Sequence, residues 1–265
     1  MKTLFLKEFK LSLKGLLIWS AVVIVTAVYA AVEYPLIAEN MDTITQGFEM
    51  IPKVVRIMFG VNAVPIDTPL GMYVCMYYWY CLITFTHAAF IGVLFVTRDE
   101  QNRTSEFLYS RPYPRKTVIQ AKMLNALVNI GIIAIVTWLI TVVSLLPVLA
   151  GPSIAGIVAY TMFGMFLTQM VFMGIGLLCS AIFRNNRTAL AVSVSFMLAT
   201  FSVAIAIEYF GDLPVFDFLS PFRFFNAPSV AERGIRPIYV LIVVLMTLIS
   251  AYGTPRMYER RDLPA

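Results

Sequence analysis

A run of about 20 apolar residues is long enough to cross a bilayer core of roughly 30 Å as a helix. This chain has six such runs, at about 16–36, 71–97, 123–148, 154–183, 189–209 and 238–253. No other feature restricts the fold as strongly. Backbone N–H and C=O groups inside a bilayer must be satisfied within the protein, so lipid-facing segments of this length become helices. The expected fold class is an all-α polytopic membrane protein with six transmembrane helices. The chain is 60% hydrophobic and 13% charged, where a soluble domain is about half apolar and about a quarter charged. No polar segment is long enough to bury a core of its own, so residues 1–265 read as a single transmembrane domain.

The segments between the runs set the topology. Residues 1–14 interleave Lys2, Lys7, Lys10 and Lys14 with leucine and phenylalanine. The spacing predicts an N-terminal amphipathic helix lying in the interface. Residues 44–59 have helical spacing broken at Pro52 and predict a short amphipathic helix on the outer surface. Tyr73, Tyr77, Tyr78, Trp79 and Tyr80 crowd the start of the second run, as aromatic residues do at a headgroup layer. Residues 211–236 read as an aromatic loop dipping into the interface, and residues 255–265 as a charged tail. With both termini inside, only Lys53, Arg56, Arg223, Arg233 and Arg236 fall outside. The other 15 of the 20 Lys and Arg are cytoplasmic, which the positive-inside rule favours.

The long polar interruption at 98–122 stands apart. It holds six basic and three acidic residues, and it should stay in the cytoplasm. Residues 104–109 fit a short helix, Pro112 and Pro114 break it, and a second helix starts at Arg115 and runs through Lys122.

Recognisable catalytic chemistry is missing. The chain has no GxxxxGK[ST] phosphate loop, HExxH or GxSxG, so it should not hydrolyse ATP by itself. Cys75, Cys81 and Cys179 lie in apolar runs without metal spacing, so no metal site is expected. Glu33 and Glu208 read as interfacial. The span middles carry no charge, which disfavours an ion-driven carrier, because charges at that depth usually serve a function. Thr84, His87, Asn129 and Gln169 are intramembrane polar groups. Ser195 and Ser202 belong to a small-residue stripe with Ala191, Ala199 and Ala206. These residues either line a translocation path or pack helices together.

Three places carry a family resemblance. The first is residues 100–122, with Thr104, Glu106, Leu108, Pro112, Arg115 and Lys122. The second is Leu219-Ser220-Pro221-Phe222, and the third is Arg260-Arg261-Asp262-Leu263. In this order and on this topology, the chain resembles the permease subunit of a type-2 ATP-binding-cassette (ABC) exporter. One departure is Arg103, where many relatives carry glycine. The resemblance implies a transport subunit rather than an enzyme. It implies a second permease subunit, as homodimer or heterodimer, in the plasma membrane or bacterial inner membrane. It also implies a separate ABC ATPase that holds ATP and Mg, with no cofactor in this chain and no nucleic-acid partner. Glu100, Arg103, Thr104, Glu106, Phe107, Leu108, Arg111 and Pro112 would then form a coupling helix docked in a groove of that ATPase. The alternative is an autonomous carrier, channel or membrane enzyme. In the absence of intramembrane charge, an apolar or amphipathic substrate is favoured.

Overall fold

A computed structural model describes residues 2–101, 115–145, 152–183, 185–211 and 214–259. Ten α-helices fall within them: α1 (Lys2–Glu39), α2 (Met41–Met50), α3 (Lys53–Met58), α4 (Pro69–Gln101), α5 (Arg115–Leu145), α6 (Pro152–Ile182), α7 (Asn186–Tyr209), α8 (Pro221–Phe224), α9 (Ala227–Arg233) and α10 (Pro237–Glu259). A 3₁₀ turn covers Pro214–Leu219, and no strand occurs among the described residues. The six helices long and apolar enough to cross a membrane are α1, α4, α5, α6, α7 and α10.

Several ends differ from the sequence reading. Residues 2–14 do not form a separate interfacial helix. They are the first turns of α1, which continues without a break through the first span. Gly15 is the only weak helix former at the expected junction, and one glycine costs a helix only about 1 kcal/mol. The last helix passes through Pro255 to Glu259 instead of ending near 253. Tyr258 and Thr254 are buried there, and that packing outweighs the proline. The break at Pro52 is as expected.

α6 is the axis of the bundle. Of its most apolar stretch 72% is buried, against 22% for α1 and for α10. It packs on α4, α5, α7 and α10, and most extensively on α4. Glycines allow the α4–α6 contact. A Cβ on Gly92 would stand 2.3 Å from the Met173 carbonyl oxygen, and one on Gly176 2.6 Å from that of Ala89. The two backbones touch there. α1 lies to one side against α5, with Leu4 packed on Val118 and Ala121.

The spans alternate in direction, which gives the bundle two unlike ends. α2, α3, the 3₁₀ turn, α8 and α9 gather at one, the capped end. Lys53 Nζ donates to the Tyr209 carbonyl at 2.8 Å across it. The other is the basic end, with the start of α1, the ends of α4 and α10, and the start of α5.

Most of the α4 tyrosines turn into the bundle rather than out of it. Tyr73, Tyr77 and Tyr80 are buried. The Tyr73 hydroxyl bonds to that of Thr161, and Tyr77 donates to the Phe225 carbonyl at 2.9 Å. Trp79 alone of the five is substantially exposed, with its ring edge-on to Phe59 at 5.6 Å.

Candidate functional site

The basic end carries the stems of the 98–122 stretch. The described residues of α4 reach Gln101, and those of α5 start at Arg115. Glu100 lies in α4. Arg103, Thr104, Glu106, Phe107, Leu108, Arg111 and Pro112 lie outside the described residues. Where the stems enter the bundle, Lys122 is 1% exposed. Its ammonium donates to the main-chain oxygen of Phe95 at 2.8 Å. An ammonium buried that deeply must meet acceptors to offset its lost hydration, and the α4 backbone supplies one.

Lys122, Asn125 and Asn129 follow at helical spacing on one face of α5. The Asn129 amide donates to Asn125 Oδ1 at 2.7 Å, to the Asn125 carbonyl at 2.9 Å and to Ser12 Oγ at 3.2 Å. Ser12 in turn donates to the Phe9 carbonyl at 2.8 Å. Glu8, one turn before Ser12, is fully buried. α1, α4 and α5 are thus joined by polar groups where the stretch begins and ends.

The other residues singled out in the sequence do not converge. Thr84 is buried and donates to the Tyr80 carbonyl in its own helix at 2.7 Å. His87 is 2% exposed, with its ring 5.3 Å from that of Trp19. Its Nδ1 meets no hydrogen-bond partner among the described residues. Both amide atoms of Gln169 are likewise buried and unbonded there. Ser195 and Ser202 lie on the exposed face of α7 with Ala191, Ala199 and Ala206. Ser202 donates to the Leu198 carbonyl at 3.0 Å. The stripe packs nothing inside this chain. Two surface hollows of about 350 Å³ are apolar, one between α5 and α6 beside Trp138 and Phe163, the other between α1 and α5 beside Tyr34 and Val143.

The capped end holds a charged cluster that the sequence reading missed. Glu208 was expected at the interface, but it is 6% exposed. Its carboxylate accepts from Tyr78 Oη at 2.9 Å and Asn62 Nδ2 at 3.1 Å. Arg223 Nη1 lies 3.7 Å away. Arg223, placed in an outer loop by its sequence, is 3% exposed and donates from Nε to Asp217 Oδ1 at 3.0 Å. Arg236 Nη1 stands 4.0 Å from the other Asp217 oxygen. Burial raises the Asp217 carboxyl above the usual aspartate value, and Arg236 and Arg233 pull it back down.

The 211–236 segment is accordingly no plain loop. Pro221 starts α8 at its first turn, where its missing N–H costs nothing. Asn226 caps α9 by accepting from the Ser229 N–H at 3.2 Å. From within α8, Phe222 inserts among Phe85, Phe201 and Phe172, with ring centroids at 4.9, 5.2 and 5.6 Å. Ser220 Oγ donates to the Thr200 carbonyl at 2.7 Å. The only sequence signal for this was the unusual company of Asp217, Arg223 and Arg236 with five phenylalanines.

A family model described as "ABC-2 family transporter protein" matches residues 2–263. No curated protein matches the chain.

Proposed function

Because the chain belongs to the ABC-2 transporter family and is a membrane-spanning permease subunit of an ABC transporter, we propose that it is the permease of an exporter driven by a separate ATPase. The observation that carries this reading is the pair of stems. α4 and α5 continue as helices beyond the apolar spans on the basic end, toward 98–122. A helical element there, holding Glu100, Arg103, Thr104, Glu106, Phe107, Leu108, Arg111 and Pro112, would seat in a groove of the ATPase. ATP and Mg bind in that partner, since this chain carries no phosphate loop. The basic bias of this end supports a cytoplasmic placement for it and for both termini, in the plasma membrane or bacterial inner membrane. A second permease subunit completes the path, and the exposed small-residue stripe of α7 is a surface that close helix packing would use.

The test is purification of the tagged chain from its native membrane. The expected result is co-purification of an ABC ATPase whose hydrolysis rate changes when the complex is placed in lipid. Full transport by this chain alone in vesicles would overturn the proposal.

A further inference from the structure

We propose that Lys122 is a positioning residue for coupling: it ties the two arms of the 98–122 stretch together, so that a push on the stretch moves both helices as one. The proposal rests on the reading that this stretch receives the ATPase. The Lys122–Phe95 bond joins residues 27 positions apart, across the base of the excursion. Beyond it, both α4 and α5 carry on as helices toward the stretch, α4 through Gln101 and α5 from Arg115.

The chemistry of the bond explains why the residue is a lysine. A helix carbonyl already accepts from the N–H four residues on, and it has a second lone pair for the ammonium. Phe95 therefore does not need Lys122; the lysine needs the carbonyl. A methionine would fill the same space without the cost of burying a charge. At this bond the lysine adds a directional link to a neighbouring helix.

The link is backed on both sides. One turn before Phe95, Gly92 lets the α4 backbone touch that of α6, so α4 cannot slide there without a clash. On the other side, Asn129 on the same face of α5 bonds to Ser12 of α1. The Lys122–Phe95 bond links these two sets of contacts at the base of the stretch.

The experiment uses the complex with its co-purified ATPase in lipid nanodiscs, with spin labels on cysteines introduced at Gln101 and Arg115. The probes are Mg-ATP alone and Mg-ATP with vanadate. In the wild type the label distance should stay narrow in both the nucleotide-free and the trapped state. Lys122→Met should keep ATPase binding but broaden the distance distribution on trapping. Its permease-dependent hydrolysis should fall by at least about tenfold, the size expected when a charge-assisted hydrogen bond is lost. Lys122→Arg, a long cationic donor, should restore both readouts. A K122M complex with the narrow distribution and unchanged hydrolysis overturns the proposal. So does a K122R complex that fails as completely as K122M, because the loss then belongs to packing. Where K122M does not accumulate, Lys122→Gln in the same label pair decides between these outcomes. If no ATPase binds the wild type, the coupling reading fails instead. The tie is then judged by the label distance of K122M against wild type in the permease alone.

Discussion

Replacing Arg223 by methionine should destabilise the bundle more than any exposed charge change. Methionine keeps most of the apolar volume, so the loss isolates the charge. In the native chain Arg223 stands between two buried acids, 3.0 Å from Asp217 and 3.7 Å from Glu208. All three side chains are at most 5% exposed, so water cannot replace the guanidinium. Breaking a buried pair by removing one member costs about 3–5 kcal/mol, whereas an exposed pair is worth about 0–1. The lower end applies here, because Tyr78 and Asn62 still donate to Glu208 and Arg236 still faces Asp217. A loss of about 3 kcal/mol lowers the melting temperature of a chain this size by roughly 6–12 °C. Cys75, Cys81 and Cys179 are all buried, so a thiol-reactive dye reports unfolding in detergent without added labels. Adding Glu208→Gln to Arg223→Met should recover part of the loss, since it removes one stranded charge. A single mutant melting with the wild type, or a double mutant melting below R223M, would show that the cluster does not hold the capped end.

Further outcomes follow from other contacts. Gly92→Ala should cost about 1–3 kcal/mol by forcing α4 from α6, whereas Gly131→Ala, whose Cβ meets only Phe166 Cε2 at 3.9 Å, should melt with the wild type in the same dye assay. Phe107→Ser with Leu108→Ser should leave membrane insertion intact and weaken ATPase co-purification by at least about tenfold, the value of one buried apolar anchor; undiminished association would remove the stretch from that role. In sealed cells an impermeant thiol reagent should label Glu49→Cys and spare Glu106→Cys; labelling at 106 from outside would refute the assigned orientation.

The spans were legible because length and apolarity alone decide them. Their ends were less so. Lys122 reads as the edge of a loop, since a lysine in an apolar span is costly, but the Phe95 carbonyl offsets that cost and α5 runs on both sides of it. Pro255 reads as a stop, but the burial of Thr254 and Tyr258 carries α10 past it. Tyr73 and Tyr77 read as interfacial because tyrosine often keeps its hydroxyl wet. Here Thr161 and the Phe225 carbonyl supply the hydroxyl partners inside the bundle, and nothing local to α4 announces them.

The capped cluster was hidden for a stronger reason. Each charged residue is visible in the sequence, and its apolar surroundings show that it is expensive, but the partner that relieves the cost is far along the chain. Asn62 and Tyr78 lie 146 and 130 positions from Glu208. Which of them meet depends on which helix faces turn toward one another, and that is settled by contacts such as Gly92 on Gly176 rather than by any local pattern. In the cluster the Glu208 and Asp217 carboxylates face the Arg223 and Arg236 guanidinium groups. It also joins the segment after α3, α4, α7, the 3₁₀ turn, α8 and the head of α10. Isolated charges would be a liability at the edge of a bilayer, while paired ones form a fastening whose strength grows as water is excluded. The costly residues of this chain therefore mark its junctions, with the Arg223 cluster at one end of the bundle and Lys122 at the other.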